Sequence, residues 1–435
     1  MTDYLAPHDA ALERLRRLHP IVIDLSLNRM ARLCADLGHP ERKLPPMIHV
    51  AGTNGKGSTL AYLRAMSQAQ GLTVHAFTSP HLVRFNERIR LAGRLIEDQG
   101  LADLIARVEV INGLKSITFF EFVAAAAFLA FAETSADLAL IEVGLGGALD
   151  ATNVIDPVLS MIAPVDMDHR EYLGDTIAKI AAEKAGILKP NRPAVIGRQL
   201  EEALQVIEAR AEAINAPLTV MGRDFDAWSE GGRLLVQMPD RLLDLPAPAL
   251  VGAHQIDNAG LAVAAALTLG GITDEAIAEG LTRVDWPARF QRLTGGPLGR
   301  AAAQADADLW LDGGHNPRAG RALARAAATL TARDGRPLTL VVGMLANKDA
   351  EGFLTPFAEL APKVIAVTFP GIAAPAYQIA EAAMVAGLKV QTCEDGVEAA
   401  VALALADRPA PHVIIAGSLH LAGAVLGLDQ ETWPR

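Results

Sequence analysis

The feature that most constrains the fold of this chain is a glycine-rich turn that joins an apolar run to a helical segment. Residues 51–58 read Ala-Gly-Thr-Asn-Gly-Lys-Gly-Ser and directly follow the apolar run at 47–50. Apolar residues then recur at helical spacing, at Leu60, Leu63 and Met66. A strand, a tight turn and a helix in this order form a unit of parallel α/β sheets. The sequence therefore predicts an α/β fold in which a helix begins at this turn.

The same turn has the chemistry of a phosphate-binding loop. Its glycines let backbone N–H groups approach phosphate oxygens, Lys56 adds positive charge, and the helix N-terminus adds partial positive potential. The spacing departs from the usual P-loop, because only two residues separate Gly52 from Gly55 and a glycine precedes the Ser58 hydroxyl, which can hold Mg²⁺. We predict that six residues bind nucleotide phosphates: Thr53, Asn54, Gly55, Lys56, Gly57 and Ser58.

Apolar strand-like runs alternate with amphipathic helical stretches, which indicates mostly parallel sheets with helices on their faces. The first predicted strands are 47–50, 73–77, 138–143, 158–163 and 193–197. A second series lies at 309–311, 338–344, 364–369, 388–392 and 413–416. We place the domain boundary between them and predict a domain over residues 1–295 and a smaller Rossmann-like α/β domain over 298–435. Motifs at the carboxyl ends of the strands should converge on one crevice.

Composition narrows the possible partners. The 435 residues include 39 Lys and Arg against 50 Asp and Glu, a net charge of −11, which argues against a nucleic-acid partner. The two cysteines, Cys34 and Cys393, are far apart and favour a reducing compartment. No targeting signal is evident, and the Ala-rich run at 122–132 is too short to span a bilayer. We therefore expect a cytoplasmic protein with no membrane partner; we also expect a monomer, although the sequence leaves the oligomeric state open.

Further candidate residues follow predicted strands. Glu142 ends one strand before a run of glycines, where a carboxylate can hold Mg²⁺ opposite the phosphate-binding turn. Asp168 and His169 follow another strand, and Lys184 lies near the end of a helix that we predict to start at Asp175. Taken alone, Glu142 could equally be a solvated acid at a strand end, His169 a loop histidine and Lys184 a lysine on a helix surface.

Together these residues resemble the folylpolyglutamate synthase and dihydrofolate synthase family of the Mur-ligase superfamily. The resemblance covers nearly the whole chain and rests on motifs at 51–58, 79–82, 86–89, 118–121, 142–153, 168–174, 183–187, 254–259, 287–289 and 312–317. Three positions depart from the family pattern. Ala148 stands where the family usually has Arg, Ala288 where Gly is usual, and Gly314 where Ala is usual. The first departure removes a charge beside the expected substrate pocket.

The resemblance implies an ATP-dependent ligase with a P-loop domain of the Mur-ligase type. Such an enzyme transfers the γ-phosphoryl group of ATP to a carboxylate, and an amine then displaces phosphate from the acyl phosphate. The substrates would be dihydropteroate, reduced folates and L-glutamate, and we expect both ligase activities. Because the attacking carboxylate and the triphosphate are both anions, Mg²⁺ and Lys56 must neutralise charge.

The resemblance also implies roles for individual residues. One Mg²⁺ would lie between Ser58, Ser79, Glu142 and ATP. A second Mg²⁺ would use His169 and Lys184, and the lysine would carry a carbamate because an ammonium group cannot ligate a metal. Lys56, His169 and Lys184 are the expected catalytic residues. Further ATP contacts are expected at Asn258, Arg289, Asp312 and His315. Substrate contacts are expected at Asp24, Leu25, Ser26, Thr118, Phe119, Phe120, Glu121, Leu149, Asp150 and Ala151.

Alternatives stay open at this point. A monofunctional folylpolyglutamate synthase would share these motifs, whereas a cell-wall Mur ligase usually carries a further domain before the phosphate-binding loop. A GTP-binding switch would need a different spacing after Asn347 and Lys348. A non-catalytic ATP-binding module is also possible. Without the family, Phe119 and Phe120 favour core packing at a helix start, and Asp312 favours an N-cap.

Overall fold

The computed structural model describes residues 26–435, so the predicted substrate residues Asp24 and Leu25 lie outside the described part. Eight strands form the first sheet: β1 (Met47–Ala51), β2 (Val74–Phe77), β3 (Ile89–Leu91), β4 (Arg94–Leu95), β5 (Leu138–Glu142), β6 (Leu159–Ile162), β7 (Ala194–Ile196) and β8 (Leu218–Val220). Their spatial order is β4-β3-β2-β5-β1-β6-β7-β8; the β2–β3 and β3–β4 pairs are antiparallel and the other pairs are parallel. The five strands predicted for this region are confirmed to within one residue at each end.

The helices of this part cover both faces of the sheet: α1 (Asn28–Asp36), α2 (Lys56–Ala69), α3 (Asp98–Asn112), α4 (Phe119–Glu133), α5 (Arg170–Leu173), α6 (Ile177–Ala185), α7 (Glu201–Ala213), α8 (Ala253–Leu269) and α9 (Asp274–Arg283). Successive residues of β1 point to opposite faces. Ile48 and Val50 pack with α2, α8 and α9, whereas Met47 packs with α1, α3 and α4. The helix predicted to start at Asp175 begins at Ile177, because the Thr176 hydroxyl accepts a hydrogen bond from the Lys179 N–H as N-cap.

A small antiparallel sheet was missed by the sequence analysis. It consists of β9 (Asp226–Glu230), β10 (Arg233–Gln237) and β11 (Leu242–Pro246), and it packs against α8. Gly231 and Gly232 join β9 to β10 with positive φ angles of 57° and 76°. Two glycines between alternating residues are the signal of a tight hairpin, so this sheet could have been predicted.

Six strands form the second sheet: β12 (Gln291–Arg292), β13 (Asp308–Leu311), β14 (Leu338–Val342), β15 (Lys363–Val367), β16 (Lys389–Cys393) and β17 (His412–Ala416). Their order is β12-β13-β17-β14-β15-β16, and all but β12 run parallel. The helices around them are α10 (Gly296–Gln304), α11 (Pro317–Asp334), α12 (Ala350–Leu354), α13 (Ala376–Val385), α14 (Val397–Leu405) and α15 (Leu419–Leu426). The five strands predicted here are confirmed to within two residues, as is the Rossmann-like α/β class.

Short 3₁₀ helices lie at Pro40–Arg42, Phe85–Arg88, Ala151–Val154, Thr355–Leu360 and Gln430–Thr432. None of the helices between residues 26 and 435 combines the length and the apolar character needed to cross a bilayer.

Candidate active site

A cleft of about 780 Å³ lies where the carboxyl ends of the strands of both sheets meet. Loops that follow β1, β2, β5 and β6 line it from one side, and loops that follow β13, β14 and β17 line it from the other. Of the predicted residues, the following line this cleft: Thr53, Asn54, Gly55, Lys56, Gly57, Ser58, Ser79, Thr118, Phe119, Phe120, Glu121, Glu142, Leu149, Asp150, Ala151, His169, Lys184, Asn258, Arg289, Asp312 and His315. Ser26, at the start of the described range, is not among the lining residues.

The phosphate-binding turn depends on its glycines for space as well as for backbone conformation. Gly52 has a φ of +143°, and a Cβ there would lie 2.7 Å from the Ala163 Cβ. A Cβ on Gly57 would lie 2.8 Å from the indole Nε1 of Trp286. Side chains at these two positions would collide with their neighbours, so glycine is needed there for the turn to line the cleft at the start of α2.

Two lysines converge on a single backbone carbonyl. The Nζ atoms of Lys56 and Lys184 each donate to the Gly52 oxygen at 3.0 Å. Lys184 is buried in the last turn of α6. Burial, and secondly the charge of Lys56, lower the pKa of Lys184 to about 7. A substantial fraction of Lys184 is therefore a neutral amine near neutral pH.

Glu142 and Ser79 meet because β5 and β2 are neighbours in the sheet. The Ser79 N–H donates to Glu142 Oε2 at 3.1 Å. The Glu142 side chain is buried, and this burial raises its carboxyl pKa, although the charge of Lys56 acts in the opposite direction. A cation placed beside Glu142 would offset the desolvation of its carboxylate. The buried Ser58 hydroxyl, in the first turn of α2, faces the same cleft.

Asp168 gathers three basic side chains from both parts of the molecule. Lys348 Nζ donates to Asp168 Oδ1 at 2.8 Å, and His169 Nε2 and His315 Nε2 each lie 3.9 Å from Asp168 Oδ2. Burial by itself would raise the pKa of Asp168, but His169 and Lys348 hold it well below its usual range. Burial lowers the pKa of His169 to about 4, so its imidazole is neutral and able to ligate a metal at neutral pH. The sequence analysis did not predict Lys348 as a site residue; it considered this lysine only as part of a possible guanine-binding motif with the wrong spacing.

Asp312 connects the linker before β12 with the loop after β13 through hydrogen bonds. Its carboxylate accepts hydrogen bonds from the Phe290 N–H at 2.8 Å and from the Gly314 N–H at 2.7 Å. The N-cap of α11 is Asn316, whose side chain accepts from the Ala319 N–H. The alternative in which Asp312 caps this helix is therefore wrong. Asn316 also donates through Nδ2 to the Asn54 Oδ1 at 3.0 Å, which joins the phosphate-binding turn to the second sheet.

The first turn of α4 also lines the cleft and brings two aromatic side chains to it. Thr118 and Glu121 form a capping box at the start of α4, and Arg29 Nε donates to the Glu121 carboxylate at 3.0 Å. Phe119 and Phe120 line the cleft and also pack with the core beneath it. Core packing and contact with a flat heterocycle are thus compatible at these two positions.

A second cluster of possible metal ligands lies in the second sheet. Asp308, Asp334 and His412 bring their ligand atoms within 4.8 Å of one another. Arg333 contacts both carboxylates, and Arg292 also pairs with Asp308. Because guanidinium groups already satisfy these carboxylates, we interpret the cluster as a structural ion network.

Comparison with known proteins places this architecture among Mur ligases. Residues 50–266 match the model of the Mur ligase middle domain, and residues 298–419 match the Mur ligase glutamate ligase domain. The dihydrofolate synthase/folylpolyglutamate synthase of Bacillus subtilis is 39% identical over 307 residues, which cover 67% of this chain and 69% of that protein.

Two solved structures are similar over almost their full length. Escherichia coli FolC in complex with DHPP and ADP has a TM-score of 0.85 and 31% identity, with 96% of each chain covered. The bifunctional folylpolyglutamate synthase/dihydrofolate synthase of Yersinia pestis, complexed with AMPPNP and a Mn ion, has a TM-score of 0.84 and 32% identity, again with 96% of each chain covered.

Proposed function

This chain belongs to the folylpolyglutamate synthase and dihydrofolate synthase family of Mur ligases, and from that premise we propose that it adds L-glutamate both to dihydropteroate and to reduced folates. It is an ATP-dependent ligase. The observation that carries the proposal is one cleft, which is lined by the phosphate-binding turn, Glu142 and Lys184 and also by the aromatic pair at 119–120. This cleft therefore offers both groups suited to a nucleotide and side chains suited to a flat heterocycle.

We propose that two Mg²⁺ ions accompany ATP. The donor set fits, because the hydroxyls of Ser58 and Ser79 and the carboxylate of Glu142 are hard oxygen ligands. His169 would hold the second ion together with a carbamate on Lys184. When bound, Mg²⁺ neutralises charge on phosphate oxygens. Lys56 adds a fixed cation at the same place, where the substrate carboxylate must approach an anionic phosphoryl group.

The carbamate is proposed from the state of the Lys184 amine. At a pKa of about 7, about half of the amine is neutral at pH 7. The neutral Nζ adds to CO₂, an N–C bond forms, and one proton leaves to water. The product presents carboxylate-like oxygens to a metal, whereas an ammonium group presents none.

Other expectations stay proposals of the same kind. They are the two ligase activities in one chain, the domain limits of 1–295 and 298–435, the cytoplasmic location and the monomeric state. The pairing of β12 with β13 places residues 291–292 in the second sheet, just before the proposed limit.

The test is ADP release by the purified full-length protein, measured with L-glutamate and either dihydropteroate or tetrahydrofolate as acceptor. Glutamate-dependent ADP release with both acceptors is the expected result. Release with tetrahydrofolate alone would overturn the bifunctional assignment and leave a monofunctional synthase. No glutamate-dependent release with either acceptor would overturn the proposed function.

A further inference from the structure

A chain of buried hydrogen bonds leads from the centre of the first sheet to the cleft. His49 lies in β1 and is fully buried. Its Nε2 is 2.8 Å from the Thr152 hydroxyl, and that hydroxyl is 2.5 Å from Asp150 Oδ1. Thr152 is also fully buried, in the 3₁₀ helix at Ala151–Val154, whereas Asp150 lines the cleft.

The donor and the acceptor in each of these hydrogen bonds follow from the groups that take part. A carboxylate only accepts hydrogen bonds, so the Thr152 hydroxyl donates its hydrogen to Asp150. The hydroxyl oxygen must then accept from His49, which places the imidazole proton on Nε2. Burial lowers the pKa of His49 to about 3, so the ring carries this single proton at neutral pH. Within residues 26–435, the other nitrogen, Nδ1, has no hydrogen-bond partner.

If His49 served packing alone, its unpartnered ring nitrogen would destabilise the folded state. A buried acceptor without a partner destabilises the folded state by about 1–3 kcal/mol. An aliphatic side chain would fill the same position in a parallel strand without that loss. The benefit of His49 must therefore come from its bond to Thr152.

The hydrogen bond from His49 to Thr152 supports the position of Asp150, which in turn holds a loop. Besides the Thr152 hydroxyl, its carboxylate accepts from the backbone N–H groups of Thr152 at 3.0 Å and of Leu145 at 2.8 Å. These bonds close residues 144–150 into a loop, and five residues of this loop line the cleft: Gly144, Leu145, Gly146, Leu149 and Asp150. The loop follows Glu142 in the chain, and its Ala148 N–H donates to the Glu183 carbonyl, next to Lys184, at 2.7 Å. The bonds of Asp150 thus point into the protein and hold this loop.

We propose that His49 is a positioning residue, which acts through the Thr152 hydroxyl to hold Asp150 and, with it, the loop that shapes the pterin side of the cleft. The proposal rests on the proposed function, because that function identifies the ligand of this side as a pterin-bearing acceptor.

The test compares two fully buried histidines of the same sheet. His49→Leu removes both the donor and the unpartnered nitrogen, so the protein should remain folded. The matched control is His75→Leu in β2, because both ring nitrogens of His75 bond to backbone groups, Thr134 O and Ala92 N–H. We expect His49→Leu to raise the KM for dihydropteroate about tenfold and to leave the KM for ATP unchanged. His75→Leu should lower the melting temperature without shifting the acceptor KM.

Changes at Thr152 extend the test if His49→Leu folds poorly. Thr152→Ser keeps the hydroxyl and should behave like the unchanged protein, whereas Thr152→Val should raise the acceptor KM. In the double variant, the two effects should be less than multiplicative, because both changes break the same chain of bonds. An unchanged acceptor KM in folded His49→Leu or Thr152→Val, or an equal rise in the KM for ATP, would overturn the proposal.

A spectroscopic measurement separates this inference from the proposed function. Nitrogen chemical shifts of ¹⁵N-labelled histidine should show His49 neutral and protonated on Nε2, and His49→Leu should shift the Leu145 amide signal. These results do not require ligase activity. A His49 ring protonated on Nδ1, or an unaltered Leu145 signal, would refute the chain of bonds even in an active enzyme.

Discussion

Removing the lysine of the phosphate-binding turn tests the electrostatic core of the proposed site. Lys56 occupies the first helical position of α2, and its Nζ is held by the Gly52 carbonyl at 3.0 Å. A unit charge about 4 Å from a phosphate oxygen contributes about 4 kcal/mol at an effective dielectric constant of about 20. Losing one positioned donor typically reduces kcat by about 10² to 10³. Both estimates predict that Lys56→Ala retains about 1% or less of the turnover.

Lys184 cannot both replace the lost charge and carry the carbamate. Lys56 is one of the charges that lower the pKa of Lys184, so its removal should raise that pKa. At neutral pH, more Lys184 would then be ammonium and less would be available for carbamate formation. Added bicarbonate should therefore recover only part of the activity, because the charge facing the phosphate is still missing.

The assay is glutamate-dependent ADP release at saturating acceptor, with folding checked by circular dichroism and thermal melting. Lys179→Ala is the matched control, because Lys179 is an exposed lysine that pairs with Asp175 on the surface. The control should keep its turnover. Near-normal turnover in a folded Lys56→Ala protein would refute the assignment of the phosphate-binding turn.

Three further changes test other parts of the site. Glu142→Ala should raise the Mg²⁺ concentration needed for half-maximal activity at least tenfold, because the ion loses one charged ligand. An unchanged Mg²⁺ titration would remove Glu142 from the ligand set. Lys184→Ala should be folded and nearly inactive, with partial rescue by a small carboxylate such as acetate, and a bare ammonium on Lys184 in a high-resolution structure of the active enzyme with nucleotide and Mg²⁺ would contradict the carbamate. Ala148→Arg restores the basic residue that is usual in the family, next to Leu149, which lines the cleft, and should lower the KM for dihydropteroate a few-fold. Equal KM values for this variant and the unchanged protein would show that the missing arginine has no effect on acceptor binding.

Much of the fold and the nucleotide end of the site could be predicted from the sequence. Each predicted strand is a short apolar run bounded by turn residues, so local pattern is enough to locate it. The phosphate-binding turn directly follows such a strand, Glu142 ends another, and His169 lies in the loop after a third. Parallel topology then brings them to one edge, because ligands of open α/β sheets bind at the carboxyl ends of the strands. The hairpin at Gly231 and Gly232 was missed although its signal was present.

Other features depend on contacts between distant parts of the chain. Lys348 reaches Asp168 across 180 positions, and the bond between Asn54 and Asn316 spans 262 positions. His49 looks like any residue of a buried strand until folding places Thr152 beside it. Local spacing determines backbone conformation, because strands and helices follow from nearby residues. The partner of a buried polar group is chosen by packing, because most such groups form hydrogen bonds with whatever group the fold brings beside them.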